Sequence, residues 1–174
     1  DAIMVVAPSD HWIEDEVQFC SNLQYAFDFC ERDENLMTLG ILPTFANTGY
    51  GYIEFDKLDS RPIKKVKQFR EKPDYATARK FIQSRNFLWN AGIFVWSAKS
   101  VLKAFEEFQP VMYDHFMNGY EALNTPKEEA FIKDNYPLAQ NISVDYAILE
   151  KAQNVYVLPA TFDWNDLGTW GSLY

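Results

Sequence analysis

One long apolar segment constrains the fold of this chain more than any other feature. Residues 87–96 read FLWNAGIFVW, and only Asn90 and Gly92 interrupt the apolar side chains. A membrane-spanning helix needs about 20 such residues, and no apolar run in the sequence approaches that length. The aromatic and β-branched residues of segment 87–96 indicate a strand buried inside a sheet instead.

Strand-like and helix-like segments alternate along the rest of the chain. The strand patterns lie at 3–7, 35–42, 50–55, 63–69 and 154–158, and the helical patterns lie at 13–30, 74–81, 98–108, 111–123, 127–136 and 144–152. This alternation predicts an α/β fold with a mixed, mostly parallel sheet flanked by helices. No internal repeat or linker divides the sequence, so we expect residues 1–174 to belong to one domain.

The balance of charged residues limits the possible partners. The chain has 16 Lys and Arg residues against 25 Asp and Glu residues, which gives a formal net charge of −9. This negative field repels nucleic acid and anionic membranes, so we predict neither as a partner. A phosphate-bearing ligand would need a metal ion or a local basic group to overcome the same repulsion.

The two cysteines indicate a reducing environment. Cys20 and Cys30 lie ten residues apart in a helical pattern, and the resulting distance of about 15 Å is too long for a disulfide. We therefore predict reduced, buried thiols in a cytoplasmic protein. With only two cysteines and two histidines in the chain, a zinc site of nitrogen and sulfur ligands is not expected.

Two aspartates in loops after strands are candidate magnesium ligands. Asp10 follows the first strand pattern, and ligands of open α/β sheets bind beyond the carboxyl ends of the strands. Asp166 follows the last strand pattern, where Asp163 competes for the same role. If the two loops share a crevice, Asp10 and Asp166 can share a Mg²⁺ ion, because two carboxylates are its usual protein contribution. The alternatives are a helix cap at Asp10 and a solvated turn at Asp166.

The pair Glu71-Lys72 is a candidate for binding a phosphorylated sugar. It follows an apolar strand pattern, and Lys72 would supply the positive charge that an acidic protein needs beside a phosphate. Glu71 would accept hydrogen bonds from sugar hydroxyls. The alternative is a surface ion pair at a strand end, which is worth about 0.5 kcal/mol.

Other polar or small residues have both a structural and a functional interpretation. Gly49 lies in a turn with a second glycine two residues later, where glycine permits either the turn itself or a close approach of ligand to backbone. Asn90 lies within the apolar strand, so its amide needs either backbone or ligand partners. Asp145 follows the predicted helix cap Ser143, and as an acid in the first turn it would interact favourably with the helix dipole.

Six segments, in order along the chain, carry a family resemblance: VVAPSDHWI at 5–13, LGILPTFANTGYGYIE at 39–54, VKQFREKPD at 66–74, FLWNAGIFVW at 87–96, SVDYAILEKA at 143–152 and FDWNDLGTW at 162–170. Together they resemble the mannose-1-phosphate guanylyltransferases, also called GDP-mannose pyrophosphorylases, within the sugar-phosphate nucleotidyltransferases. The last two segments resemble the bacterial members of the mannose branch. The resemblance implies a Rossmann-like, glycosyltransferase-A-like fold.

The resemblance also implies a reaction. Mannose 1-phosphate would attack the α-phosphate of GTP to give GDP-mannose and pyrophosphate in the presence of Mg²⁺. Catalytic roles would fall to Asp10 and Asp166, as the metal ligands, and to Lys72, in contact with the sugar phosphate. The residues that the resemblance places on the substrate are Gly49, Glu71, Lys72, Asn90 and Asp145.

The sequence departs from the family pattern in one respect. The family has a glycine-rich loop ending in Arg near its N-terminus, and the printed sequence contains no such run. We therefore expect a catalytic domain that is incomplete at the N-terminus, inactive alone, and self-associating as a homo-oligomer through an exposed strand edge. The rival hypotheses are a nucleotidyltransferase for another sugar 1-phosphate and a non-catalytic, sugar-nucleotide-binding regulatory homologue.

Overall fold

A computed structural model describes residues 2–168 of the chain, which form a six-stranded sheet and its flanking helices. The strands are β1 (Ile3–Val6), β2 (Leu36–Ile41), β3 (Tyr52–Phe55), β4 (Lys64–Arg70), β5 (Phe87–Ser97) and β6 (Val155–Pro159). The α-helices are α1 (Glu16–Arg32), α2 (Tyr75–Ser84), α3 (Ala98–Phe108), α4 (Pro110–Met117) and α5 (Glu128–Asn135). Shorter turns are the 3₁₀ segments Tyr120–Ala122 and Tyr136–Leu138 and the π-helical turn Asp145–Leu149.

The long strand β5 organises the sheet, whose order is β1-β5-β2-β6-β4-β3. Its first residues pair with β3, its last with β1, and most of its length with β2, each time antiparallel. Among the described strands only β2 and β6 pair in parallel, and the β3–β4 and β4–β6 pairings are antiparallel. The sheet is mixed, as expected, but the prediction that it is mostly parallel is wrong. An apolar run buried on both faces looks the same whichever way its neighbours run.

A bulge interrupts the pairing between β2 and β5. Thr38 lies opposite Phe94, but Gly40 lies opposite Asn90, so β5 advances four residues while β2 advances two. Gly92, within the bulge, has a φ of 69°, a left-handed conformation that glycine adopts without the penalty of a side chain. Bulges of this kind often re-aim a side chain beside a functional site.

Helices cover both faces of the sheet, and alternate residues of β5 serve the two cores. Ile93 and Val95 pack in a core that includes Ala26 and Cys30 of α1. On the opposite face, Phe94 and its neighbour Trp96 pack in a core with Ala104 of α3 and residues of the π-helical turn. Burial on both faces explains why segment 87–96 has no polar stripe, and it confirms the α/β layering.

The structure confirms some of the local predictions from the sequence and contradicts one. The Asp74 side chain accepts a hydrogen bond from the Thr77 amide at 2.8 Å, so it caps α2 as its sequence position indicates. The thiol of Cys30 is buried, as predicted, but Cys20 is exposed, and neither thiol is in a disulfide. Within residues 2–168, no helix combines the length and the apolar character needed to cross a bilayer.

Candidate functional site

The β5 bulge presents Asn90 to Asp145, a half-buried aspartate. The Asn90 Nδ2 amide donates to Asp145 Oδ1 at 2.8 Å, and Asn90 Oδ1 accepts from the Thr38 hydroxyl at 3.0 Å and from the Gly92 amide at 3.2 Å. Asp145 stands at the first position of the π-helical turn. Because both ends of the Asn90 amide are engaged, its orientation is fixed, and it holds the Asp145 carboxylate beside the sheet.

Glu71 and Lys72 join the same cluster through Gly51. A Cβ placed on Gly51 would collide with Glu71 Oε2 and lie 3.5 Å from the Cβ of Asn90. The Gly51 carbonyl accepts a hydrogen bond from the backbone amide of Asn90 at 2.8 Å. The absence of a side chain at Gly51 therefore lets the Glu71 carboxylate approach the backbone next to Asn90. The Lys72 ammonium lies 3.7 Å from Glu71 Oε1, and its side chain is 64% exposed.

We define Glu71, Lys72, Asn90 and Asp145 as the polar cluster. Burial raises the pKa of Asp145, and hydrogen bonds from its own amide and from Asn90 oppose the shift. Burial also raises the pKa of Glu71, followed by the negative charge of Asp145, while Lys72 lowers it. Two partly desolvated carboxylates thus share a single neighbouring ammonium group, and donors such as ligand hydroxyls would stabilise them.

The raised pKa of Asp145 predicts a measurable cost to stability. Ionising this carboxylate in the folded protein therefore costs free energy relative to the unfolded chain. Asp145→Asn keeps an acceptor for Asn90 and should raise the free energy of unfolding at pH 7 by about 1 kcal/mol, a typical gain when a functional site is relieved. Because the folded-state pKa lies above the unfolded one, the advantage should shrink as the pH falls toward the ordinary range of an aspartate.

Denaturant unfolding of both proteins between pH 4 and pH 7 measures this difference. The control is Asp114→Asn, which removes the same charge from an exposed position in α4. Equal effects of the two substitutions at pH 7 would show that burial of Asp145 costs no stability.

The loops of Asp10 and Asp166 lie side by side. Trp12 and Asn165 form an antiparallel bridge, with the Trp12 amide donating at 2.8 Å and the Asn165 amide at 3.0 Å. The Trp164 indole also donates to His11 Nδ1 at 3.1 Å. Asp10 lies two residues before Trp12 and Asp166 one residue after Asn165, so the chain brings the two candidate ligands to neighbouring loops.

The structural alternative proposed for Asp10 does not hold, and the one proposed for Asp166 holds in part, because Asp166 Oδ1 accepts the Gly168 amide within the turn at 3.1 Å. Asp15, rather than Asp10, caps α1, because its side chain accepts the Gln18 amide at 3.0 Å. Asp10 is exposed, whereas Asp166 is half-buried and accepts a hydrogen bond from the Tyr50 hydroxyl at 2.8 Å. The competitor Asp163 is exposed.

The acidic loops adjoin the polar cluster at β5. The position of a Cβ on Gly92 would lie 3.5 Å from Pro8 and 3.9 Å from His11, so the Asp10 loop covers the bulge. Two of the four non-glycine residues with left-handed backbone among residues 2–168 lie here: Lys72 has a φ of 44° and Leu167 a φ of 52°. Such conformations cost about 1–3 kcal/mol each outside glycine and concentrate at functional sites.

Tyr50 connects the two groups and was missed as a site residue in the sequence. Its hydroxyl contacts Asp166, and its carbonyl accepts the Lys72 amide at 3.3 Å. The only signal was its place between two glycines, which indicates a turn and not a function. Gly49, by contrast, is exposed, and its amide donates to Asn47 Oδ1 at 2.7 Å within that turn. Gly51 is the glycine that lies against Glu71 and Asn90.

Trp89 and Trp164 both pack against the Tyr50 ring. The Trp89 ring is 5.1 Å from the Tyr50 ring and the Trp164 ring is 5.4 Å from it, both edge to face. Within residues 2–168, the indole nitrogen of Trp89 is the buried side-chain donor that has no hydrogen-bond partner. Buried donors without a hydrogen-bond partner are rare, and each one needs an explanation such as a functional role.

The donor set suits a magnesium ion better than a softer metal. Among residues 2–168, no group of three or more His, Cys, Asp or Glu side chains is placed to hold an ion. A site in the acidic loops would therefore depend on the two carboxylates, which are hard oxygen donors. Mg²⁺ commonly binds through one or two protein carboxylates and keeps several waters or substrate phosphates.

Comparison with known proteins assigns the family. The family model for nucleotidyl transferases matches residues 1–174. The chain belongs to the nucleotidyl transferase family. Its relatives within curated proteins include a mannose-1-phosphate guanylyltransferase of Salmonella muenchen, 34% identical over 175 residues, which cover 100% of this chain and 37% of the relative. A xanthan biosynthesis protein of Xanthomonas campestris is 36% identical over 99% of this chain and 37% of its own length.

Solved structures agree with the assignment of this nucleotidyl transferase chain. A mannose-1-phosphate geranyltransferase from Thermus thermophilus superposes with a TM-score of 0.85 and 27% identity, over 97% of this chain and 47% of that one. A UDP-glucose pyrophosphorylase superposes with a TM-score of 0.57 at 15% identity, over 98% of this chain and 52% of that one, which shows the shared fold alone. The chain thus spans less than two fifths of the two curated relatives.

Proposed function

We propose that this chain is the sugar-phosphate-binding part of a nucleotidyltransferase that forms GDP-mannose and pyrophosphate from GTP and mannose 1-phosphate. The observation that supports it most is the contiguity of the site. A cluster of acids, an amide and a lysine adjoins two acidic loops, and Tyr50 contacts both groups. The name of the Salmonella relative supports mannose 1-phosphate as the acceptor.

The polar cluster provides the groups that a phosphorylated sugar needs. In this proposal Glu71 and Asp145 accept hydrogen bonds from mannose hydroxyls, and Asn90 keeps the Asp145 carboxylate in place. Hydroxyl donors would offset the burial that disfavours the charge on these acids. Lys72 is well exposed at the end of β4, so its ammonium can contact the sugar phosphate. The backbone of the turn at Gly49 would close the sugar site.

Asp10 and Asp166 would hold the Mg²⁺ ion. When bound, the ion neutralises phosphate charge and so allows two polyanions to approach each other in a protein with a net charge of −9. The aspartates provide hard oxygen ligands from two adjacent loops. Asp166 is anchored through one of its oxygens, while Asp10 is exposed to solvent and accessible to a substrate-bound ion.

The reaction needs positioning more than covalent chemistry from the protein. A phosphate oxygen of mannose 1-phosphate forms a bond to the α-phosphorus of GTP, and the bond from that phosphorus to the β-phosphate bridging oxygen breaks. Pyrophosphate leaves with the electron pair of the broken bond. The role of Lys72 and the polar cluster is to orient the nucleophilic phosphate in line with the bond that breaks.

The chain alone is proposed to be inactive, and the intact protein to be a cytoplasmic homo-oligomer. The sequence covers 37% of its Salmonella relative, and it contains no glycine-rich run ending in Arg that could cradle a triphosphate. The outer edge of β1 has no strand partner among the described residues, and Val5 and Val6 beside it are 39% and 46% exposed. An open apolar edge favours self-association of this chain by itself.

A substrate panel tests the proposed function. Release of pyrophosphate by the intact protein should be fastest with GTP and mannose 1-phosphate, and slower when glucose 1-phosphate, UTP or dTTP replaces either substrate. Preference for glucose 1-phosphate would favour the rival hypothesis of a nucleotidyltransferase for another sugar 1-phosphate. Glucose 1-phosphate is included in the panel because a UDP-glucose pyrophosphorylase shares the fold. Binding of GDP-mannose with no pyrophosphate release from any pair would instead indicate a regulatory homologue.

A further inference from the structure

Tyr50 occupies the junction between the polar cluster and the acidic loops. Its carbonyl accepts the amide of Lys72 at 3.3 Å, and its hydroxyl donates to Oδ1 of Asp166 at 2.8 Å. Tyr50 and Asp166 are separated by 116 positions in the sequence. A single residue therefore contacts both the proposed phosphate-binding lysine and a proposed metal ligand.

The Tyr50 ring is fixed by two indoles. The Trp89 ring meets it edge to face at 5.1 Å and 78°, and the Trp164 ring does so at 5.4 Å and 69°. Contact with two such neighbours restricts the rotation of the ring, so the surrounding packing sets the position of its hydroxyl. A tyrosine hydroxyl carries its proton at neutral pH, so it acts as the donor in this hydrogen bond.

The two oxygens of Asp166 have different surroundings. Oδ1 accepts the Tyr50 hydroxyl at 2.8 Å and the Gly168 amide at 3.1 Å. Oδ2 has no hydrogen-bond partner in the part of the chain that the structure describes. One oxygen is anchored by two donors and the other is available to a ligand. Carboxylates that ligate metals are commonly held by such outer hydrogen bonds, whose loss costs about 10- to 100-fold in metal affinity.

We propose that Tyr50 is a positioning residue, which anchors Asp166 through Oδ1 so that Oδ2 is available to the metal ion, and which links this carboxylate to the backbone of Lys72. The inference rests on the proposed function, because it assigns the partner of a metal ligand in the same site. It assigns to the turn between β2 and β3 a task beyond sugar binding.

Binding of Mn²⁺ to the intact protein, followed by electron paramagnetic resonance, tests this role without depending on turnover. Tyr50→Phe keeps the ring and removes only the hydroxyl, and it should raise the dissociation constant for Mn²⁺ about 10-fold or more. The apparent Mg²⁺ requirement for pyrophosphate release should rise in parallel, and saturating Mg²⁺ should restore most of the rate. In an Asp166→Asn background, Tyr50→Phe should have no further effect on kcat/KM.

Tyr52→Phe is the matched control. The Tyr52 hydroxyl bonds to Asn47 in the same turn, at 2.8 Å to its carbonyl and 3.1 Å from its amide, and has no contact with Asp166. It should leave Mn²⁺ affinity within twofold of the wild-type value. Unchanged Mn²⁺ affinity in Tyr50→Phe, or an equal loss in both variants, would overturn the positioning role. A wild-type protein that binds no Mn²⁺ would overturn the metal site and this inference together. If the wild-type protein binds Mn²⁺ and Tyr50→Phe binds it equally well, only the role of Tyr50 is overturned.

Discussion

Asp10→Asn and Asp166→Asn, each introduced into the intact protein, should lower the rate of pyrophosphate release from GTP and mannose 1-phosphate about 1,000-fold or more. Each substitution keeps the size of the side chain and removes one of two negative ligands. Without a bound ion, the charges on the two phosphate substrates remain unneutralised in a protein that is itself acidic. Initial rates at several Mg²⁺ concentrations measure the loss.

Asp163→Asn provides the matched control in the same loop. Asp163 is exposed and lies three residues from Asp166, so it shares the local charge without the hydrogen bond from Tyr50. It should retain activity within a few-fold of wild type. If Asp163→Asn lost its activity while Asp166→Asn kept it, the loop would hold the metal through Asp163 instead. Near-normal turnover in Asp10→Asn would contradict the proposal that Asp10 and Asp166 share one metal ion.

Lys72→Ala should raise the KM for mannose 1-phosphate by about 10- to 100-fold, the usual value of a hydrogen bond to a charged group. The KM for GTP should change much less, because Lys72 belongs to the polar cluster and not to the acidic loops. The strained backbone of Lys72, with a φ of 44°, does not depend on its ammonium group. Steady-state kinetics with one substrate varied at a time separate the two effects.

Lys80→Ala in α2 is the control for this prediction, since it removes another exposed lysine that the proposed mechanism does not use. Its kinetic constants should match those of the wild type. A rise in the KM for GTP with no change for mannose 1-phosphate would show that Lys72 contacts the other phosphate. Lys72→Arg would then be expected to restore GTP binding in part, because the positive charge is kept.

Sequence patterns predicted the elements whose causes are local. The cap at Asp74 depends on a hydrogen bond to a residue three positions away. The strand at 87–96 follows from its own apolar residues, and the hairpin of β3 and β4 from two adjacent strand patterns. In each case the information that determines the structure lies within a few residues, where propensity and periodicity operate.

The direction of the strands and the convergence of the site depend on distant residues. The parallel arrangement was mispredicted because β5 pairs with three strands that its own sequence does not specify. Asn90 reaches Asp145 across 55 positions, and Tyr50 reaches Asp166 across 116. The first contact lies beside the bulge in β5, and the second lies beside the bridge between Trp12 and Asn165. The family resemblance selected Asn90, Asp145 and Asp166 but not Tyr50, and no local pattern relates these residues to one another.

The central proposal is that Asp10 and Asp166 hold one divalent cation next to the polar cluster. A crystal structure of the intact protein with Mn²⁺ and GDP-mannose tests it most directly, because Mn²⁺ can be located by its anomalous scattering. We expect one ion with oxygens of both Asp10 and Asp166 within about 2.5 Å, and mannose hydroxyls on Glu71 and Asp145. An ion bound elsewhere, or one whose shell contains neither aspartate, would contradict the proposal.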